Sequence, residues 1–275
     1  MENSSLNHTE NHKTEEKETK RTPIKQRKKE NEVLRFIREH IRYFAAGALV
    51  VVLILVLAMC AKPKGSDSDV VVNANATEST QATEEAYQVD ANENINALIT
   101  QYYTAYAAGD VTTLSSIATP ISANEQSYIG LFSQYVDEYQ NIKCYTKTGL
   151  DANSYLVSVS MEIKFTGVDT TAPGLDFFYV RTNDDGTLYI DNLYSQYNLA
   201  NQENALDTSV QSLIGQFESE SDVVELQSEV QTRYDEALAA DENLANMIQT
   251  TIPAAIKDWV SQVAAQAATE QTEAT

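Results

Sequence analysis

The hydrophobic and polar positions divide the chain into one uninterrupted apolar stretch and a longer region in which apolar and polar residues alternate. The apolar stretch runs from Tyr43 to Ala61, 19 residues without a charge. A helix of that length rises about 30 Å, which matches the hydrocarbon thickness of a bilayer. A core helix would carry a polar stripe, and this stretch has none. The pattern therefore predicts a transmembrane helix at residues 43–61.

Two other interpretations of the apolar stretch fit it less well. A cleaved signal peptide has a shorter apolar core, of about 7–15 residues, and a small-residue cleavage site, which does not follow here. The run from Leu57 to Cys60 resembles a bacterial lipoprotein signal, but Met59 stands where a small residue is expected. We therefore interpret Cys60 as an ordinary residue of the membrane helix.

After residue 91 the pattern takes on the period of an amphipathic helix. The apolar positions follow the spacing i, i+3, i+4, i+7, i+8 and i+11, which is one face of a helix. They are occupied by Ile95, Leu98, Ile99, Tyr102, Tyr103 and Tyr106. Gly109 is placed to end this helix and Asp110 to cap a second, short one. A third helical stretch is predicted from about residue 124 to residue 135.

The period changes to two between residues 154 and 166, where apolar side chains alternate with Ser158, Ser160 and other polar residues. This alternation predicts a long antiparallel strand with one buried face. Residues 175–182 and 187–194 are predicted to form a hairpin, and residues 139–148 a weaker first strand. Helices followed by a meander of strands indicate an α+β fold with helices on one face of a curved antiparallel sheet.

Helical periodicity returns from about residue 202 to the end of the chain, and Pro253 starts or kinks the last helix. The apolar stripes are narrow and have acidic residues between them, which is typical of helices that pack on each other or on a partner. The pattern is compatible with two roles for these helices, since they could complete the preceding domain or form a separate arm.

Charge is distributed unevenly about the predicted span. Residues 1–42 hold 11 Lys and Arg against 8 Asp and Glu, whereas residues 65–275 hold 6 against 32. By the positive-inside rule, the N-terminal side is cytoplasmic and the long acidic part lies outside a single-pass cell-membrane anchor. The predicted organisation is a basic, largely disordered cytoplasmic tail (1–42), the transmembrane helix (43–61), an acidic flexible linker (62–91), a globular domain (92–200) and a helical C-terminal region (201–275).

The predicted outer part contains one cysteine, Cys144, so it cannot form an internal disulfide. An extracellular domain without disulfides favours a bacterial surface protein, of a Gram-positive organism, over a eukaryotic ectodomain. Its acidic charge would repel the phosphates of nucleic acid, and we therefore expect no nucleic-acid partner.

The run INALITQYYTAYAAGDVTTLSSI at residues 95–117 resembles the opening of the NTF2-like (SnoaL/ketosteroid-isomerase-type) superfamily. In that superfamily a tyrosine-containing first helix ends at Gly-Asp and a short second helix follows. The resemblance covers about residues 91–198. It implies a bent antiparallel sheet that wraps helices, often around a hydrophobic pocket. It implies no single activity, because this fold serves isomerases, hydrolases, transport factors and non-catalytic adaptors.

The predicted outer region offers little for catalysis or metal binding. All three histidines, His8, His12 and His40, precede the span. Neither a histidine-based triad nor a histidine metal site is therefore expected outside. We expect no cofactor and no metal in this region.

The resemblance places Tyr102 at the position of a tyrosine that stabilises an oxyanion. Where the family has a catalytic aspartate, this chain reads TPISANEQSY, in which Glu125 is the one acid. One half of the catalytic pair is thus missing, and we assign no catalytic residue. Tyr102, Tyr103 and Tyr106 are the candidate pocket-lining residues.

The sequence thus predicts a membrane-anchored, extracytoplasmic binding or scaffold module without catalytic activity. We expect it to bind an envelope protein or a second copy of itself through the globular domain and the C-terminal helices. The alternative is a pocket around Tyr102 that holds a small apolar ligand or supports isomerase- or hydrolase-type chemistry.

Overall fold

A computed structural model describes residues 85–273 of the chain. The predicted tail at 1–42, the predicted span at 43–61 and most of the predicted linker at 62–91 lie outside the described residues. Within residues 85–273, no helix combines the length and the apolar character needed to cross a membrane.

Helices form at both ends of the described part, on either side of a run of strands. They are α1 (Glu93–Ala108), α2 (Val111–Ile117), α3 (Ala123–Phe132), α4 (Gln196–Asn201), α5 (Thr208–Phe217), α6 (Ser221–Ala240), α7 (Glu242–Asn246) and α8 (Ile252–Glu273). A 3-10 turn at Asn192–Tyr194 precedes α4, and a π-helical turn at Met247–Thr251 joins α7 to α8.

The strands form one six-stranded sheet in the order β1-β3-β4-β5-β6-β2. They are β1 (Gln88–Val89), β2 (Ala118–Thr119), β3 (Val136–Thr148), β4 (Ser154–Phe165), β5 (Ala172–Thr182) and β6 (Leu188–Asp191). Four neighbouring pairs are antiparallel, namely β1 with β3, β3 with β4, β4 with β5 and β5 with β6. The short strand β2 lies parallel to β6 at the edge of the sheet. The α+β class is thus confirmed, but the sheet is mixed rather than antiparallel throughout. A two-residue strand has no periodicity from which the parallel edge could be predicted.

Capping residues fix the start and the end of α1, and the end at Gly109 is as predicted. The side chain of Asn92 accepts hydrogen bonds from the backbone of Asn94 and Ile95, and Gly109 follows the last turn with φ +65°. A Cβ at Gly109 would lie 2.7 Å from the Ser133 hydroxyl, so this turn needs glycine for its space as well as for its backbone angle. The helix is thereby held with its apolar face against β3.

The central strand β4 is covered on both faces, although its alternating pattern predicts one solvated face. Ser158 and Ser160, on the face expected to be exposed, are buried. The Ser158 hydroxyl forms a 2.8 Å hydrogen bond with the Tyr87 hydroxyl. Apolar residues of α5 and α6 pack over this second face. The prediction of a solvated face was wrong, because a small hydroxyl side chain can be buried once its hydroxyl group has a hydrogen-bond partner.

The C-terminal helices complete the domain that the strands begin. Tyr234 of α6 and Ile256 of α8 belong to the same apolar cluster as the inner side of α1 and the sheet. The indole N–H of Trp259 on α8 donates to the Ser127 hydroxyl on α3 over 2.9 Å. These helices therefore share the core of the sheet domain and do not form a separate arm, which was the other role compatible with the sequence pattern.

The folded part begins earlier than the predicted boundary at residue 92. Strand β1 pairs with β3, and the Tyr87 ring lies 5.5 Å from that of Tyr145. The Lys147 ammonium lies 4.7 Å from the Tyr87 ring and bonds to Glu220 and Asp222 at 2.5 and 2.6 Å. This buried cation is satisfied by two carboxylates, which ties the start of α6 to the edge of the sheet.

Candidate functional site

Tyrosines from α1 meet aromatic residues of the sheet on the face against which α1 packs, which we call the inner face. The rings of Tyr103 and Tyr139 lie 4.6 Å apart, and the ring of Tyr102 lies 5.0 Å from that of Phe178. Tyr106 completes the row, 5.6 Å from Tyr102. These spacings are those of favourable aromatic pairs. The predicted pocket-lining residues Tyr102, Tyr103 and Tyr106 are therefore brought together.

Four side chains in and beside this row are partly exposed, namely Tyr102, Tyr106, Tyr139 and Asp176. Together with the buried rings of Tyr103 and Phe178 they line a partly open, aromatic surface on the inner face. We call it the tyrosine recess and define it by Tyr102, Tyr103, Tyr106, Tyr139, Phe178 and Asp176.

Asp176 places a carboxyl group in the tyrosine recess. It lies on β5 opposite Val159 of β4, on the same face as Phe178. The Tyr103 hydroxyl donates to its Oδ2 over 3.4 Å, and the Phe177 N–H donates to Oδ1 over 2.8 Å. Burial raises the pKa of Asp176 to about 6, against the opposing effect of these two donors.

Glu125 is a second buried carboxyl group, near Tyr102 and Tyr106. The Asn192 Nδ2 donates to both of its carboxylate oxygens at 2.9 Å and to the Pro120 carbonyl at 2.8 Å. Burial raises the pKa of Glu125 to about 7, although the Asn192 hydrogen bonds act in the opposite direction. The side chain amide thus holds this carboxyl group in one orientation.

Neither acid has a basic partner among residues 85–273. The six Lys and Arg of residues 65–275 all fall in this part. Four of them are engaged elsewhere, with Lys147, Arg181 and Arg233 in salt bridges and Lys164 on two loop carbonyls. The remaining two, Lys143 and Lys257, are exposed. The recess is therefore aromatic, and it is negatively charged whenever Asp176 is ionised.

Aromatic contacts connect the tyrosine recess to the C-terminal helix. The Tyr106 ring lies 6.1 Å from that of Phe132, which stacks on Tyr128 at 6.2 Å. Tyr128 in turn lies 5.5 Å from Trp259. Trp259 is the one tryptophan of the chain. It therefore reports on the environment at this end of the aromatic row.

The hydroxyl groups of the recess are donors rather than bases. Burial raises the pKa of Tyr102 and of Tyr103 well above the ordinary value, and the negative field of Asp176 adds to this effect. Of these two hydroxyl groups, that of Tyr103 and not that of Tyr102 donates to the Asp176 carboxylate. The pairing needed for catalysis around Tyr102 is thus not formed by its own hydroxyl.

Sequence reasoning missed Asp176, Tyr139 and Asn192 as parts of the site. The signal for Asp176 is its spacing of two from Phe178, which puts it on the inner face of β5. That signal is ambiguous, because Leu175 and Phe177 make the opposite face equally apolar. Asn192 lies in a turn, and no periodicity indicates that it meets an acid 67 positions earlier.

Other features of the described residues offer weaker sites. No group of three or more His, Cys, Asp or Glu within residues 85–273 could hold a metal ion. An open groove of about 610 Å³ lies on the outside of α1 and α2, lined by small and polar residues such as Thr100 and Thr104. Its acid, Asp110, is already used to cap α2 through Thr113. The tyrosine recess is therefore the best candidate site.

Comparisons with known proteins add no relative to this description. No protein-family model matches the chain, and neither the curated proteins nor the solved structures give a match.

Proposed function

We propose that the chain is a membrane-tethered, non-catalytic binding module that holds a small, largely apolar ligand in the tyrosine recess. The observation that carries this proposal is the partly exposed ring surface of Tyr102, Tyr106 and Tyr139 beside the carboxyl group of Asp176, which the Tyr103 hydroxyl holds. Apolar recesses with a few polar groups are the usual form of small-molecule sites.

The proposal includes a fold of the NTF2-like type around the recess. A first helix that ends at Gly109-Asp110, a short second helix and a later hairpin of strands support it. In such a fold the space between the helices and the sheet is where a ligand lies, which agrees with the position of the recess on the inner face.

The proposal also places the described part outside the cell, with residues 43–61 as its anchor. The length of the apolar stretch and the basic residues before it support this topology. An extracytoplasmic position would give the recess access to small molecules of the cell surroundings.

A small ligand is favoured over a protein partner by the way the terminal helices pack. Their large apolar residues are mostly turned into the domain's own core. Within residues 85–273 the exposed large apolar residues are few and fall on different elements, with Val89 on β1, Leu150 after β3, Leu199 on α4 and Val224 on α6. Single exposed apolar residues do not make an interface. Association with an envelope protein or with a second copy is the alternative, and the open groove on α1 and α2 favours it.

We assign no catalysis to the recess because the nearby Glu125 carboxyl group is already hydrogen-bonded and the tyrosine hydroxyl groups are protonated. Asn192 spans both oxygens of Glu125, and the tyrosine hydroxyls stay protonated. Residues 65–275 contain no histidine to act as a base near pH 7.

The test is calorimetric binding of a compact neutral probe, 3,3-dimethyl-1-butanol, to the full-length chain. The variant Phe178→Trp enlarges a side chain on the inner face of β5, and Phe177→Trp makes the same change on the opposite face. We expect the probe to bind and to raise the melting temperature of the wild type and of Phe177→Trp, and not of Phe178→Trp. Equal effects in both variants, or no binding to the wild type of either this alcohol or its charged analogue choline, would contradict the proposal.

A further inference from the structure

We propose that the ligand of the tyrosine recess is an organic ammonium cation of the quaternary or tertiary type. This inference rests on the proposed function and narrows the ligand from a small apolar molecule to one that carries a positive charge within an apolar shell. Three features carry it: the aromatic rings of the recess, the carboxyl groups at and near it, and the lack of a Lys or Arg partner for these carboxyl groups within residues 85–273.

The rings supply the first half of the recognition. Tyr102, Tyr103, Tyr139 and Phe178 form a continuous set in which neighbouring centroids lie 4.6–5.8 Å apart. Their planes meet at different angles, from 38° to 85°, and the rings of Tyr102 and Tyr139 are partly exposed. Ring faces attract cations through their quadrupole, and groups of such rings bind quaternary ammonium compounds.

The carboxyl groups supply the second half. Asp176 lies at the recess, bonded to Tyr103, and Glu125 lies near Tyr102 and Tyr106. No Lys or Arg of residues 85–273 neutralises either acid. Buried ionised acids without a partner are unfavourable, so a cation that enters the recess gains their attraction and relieves that cost.

Ligands of other charge suit the recess less well. An anion would face two carboxyl groups without a basic side chain to bind it. A neutral molecule would gain apolar burial alone and would leave the ionised acids without a counter-charge. A primary amine keeps a tightly held water shell, whereas an alkylated ammonium is weakly hydrated and presents methyl groups to the rings.

The test compares choline with 3,3-dimethyl-1-butanol, which has the same shape with carbon in place of the charged nitrogen. Binding of each probe to the full-length chain is measured by calorimetry at pH 8. We expect choline to bind at least tenfold more tightly than the alcohol. Asp176→Asn should remove most of this preference, because it removes the charge and keeps the size of the side chain. Asp184→Asn, at an exposed turn residue, is the matched control and should keep the preference.

A ring variant tests the contribution of the rings. Tyr139→Leu should weaken choline more than the alcohol, whereas Tyr139→Phe, which keeps the ring face, should retain the difference. Equal affinity for both probes would overturn the cation inference and leave the proposed function standing. Failure of both probes to bind would overturn the two together. Choline binding that is unaffected by both Asp176→Asn and Tyr139→Leu would place it outside the recess and overturn the inference.

Discussion

The hydroxyl of Tyr103 donates to the carboxylate of Asp176 over 3.4 Å, which joins the middle of α1 to the inner face of β5. The two residues are 73 positions apart, and neither has a basic partner within residues 85–273. The contact therefore defines an acidic, aromatic recess in a domain whose few Lys and Arg side chains are either engaged elsewhere or exposed.

The stability of the domain is expected to fall as the pH rises between about 4 and 7. The pKa of Asp176 is about 6 and that of Glu125 about 7 in the folded chain, above their ordinary values of 3.8 and 4.5. Between these limits the folded state binds more protons than the unfolded state, so raising the pH favours unfolding. The groups that face Asp176 are Tyr102, Tyr103 and Tyr139, all of them uncharged over this range.

Glu125→Gln should remove part of this dependence. We expect the variant to gain stability on the order of 2 kcal/mol relative to the wild type between pH 4.5 and pH 8, as measured by urea unfolding. Asp184→Asn, at an exposed turn position, is the control and should follow the wild type. A wild type whose stability rises with pH over this window would contradict the assignment.

The parts of the fold that the sequence predicted depend on signals between residues that are close together in the chain. The spacing of Ile95, Leu98 and Ile99 and the cap residues on either side define α1 without tertiary information. The alternation of β4 likewise predicts its bounds. Both signals arise from residues within a few positions of each other.

The parts that sequence reasoning missed depend on distant contacts. Trp259 meets Ser127 across 132 positions, and Asn192 meets Glu125 across 67. The sequence also could not predict that Asp176 lies on the inner face, because β5 has apolar residues on both faces. Which face of a strand is inner depends on the helices that cover it, and here both faces are covered.

Asn192→Asp tests the arrangement around Glu125. The substitution keeps the shape of the side chain but places a second carboxyl group against the first, in a buried position. We expect a loss of about 3 kcal/mol in the free energy of unfolding at pH 8 and a smaller loss at pH 5, where one proton can be shared. Asn183→Asp, in the exposed turn between β5 and β6, should be near neutral at both pH values. Equal losses at pH 5 and pH 8 would contradict the proposed contact.

Trp259→Ala tests whether α8 is part of the domain. The substitution removes a buried ring that packs on Tyr128 and donates to Ser127. We expect a loss of about 3–5 kcal/mol and a single cooperative transition at lower denaturant. Val224→Ala, at an exposed position on α6, is the control and should cost little. A wild-type-like transition in Trp259→Ala would mean that α8 is an independent arm.

Cysteine labelling tests the proposed topology in intact cells. Burial raises the pKa of the Cys144 thiol to about 12, so this residue should not react in the folded chain. Asp184→Cys introduces a reactive thiol at an exposed turn. With Cys60→Ser in both chains, a membrane-impermeant maleimide should label the Asp184→Cys variant in intact cells and leave the chain without it unlabelled. Labelling of Asp184→Cys only after lysis would place the domain inside the cell.

The central claim is that a small ligand lies among the tyrosines of the recess. It is tested most directly by NMR of the full-length chain with ¹³C-labelled tyrosine rings, titrated with choline and with 3,3-dimethyl-1-butanol. We expect at least one of the two probes to shift the ring signals of Tyr102, Tyr103, Tyr106 and Tyr139, and to leave that of the partly exposed Tyr189 on β6 unchanged. Ring signals of the recess that stay unchanged with both probes at saturating concentration, or shifts confined to Tyr189 and other tyrosines outside the recess, would contradict it.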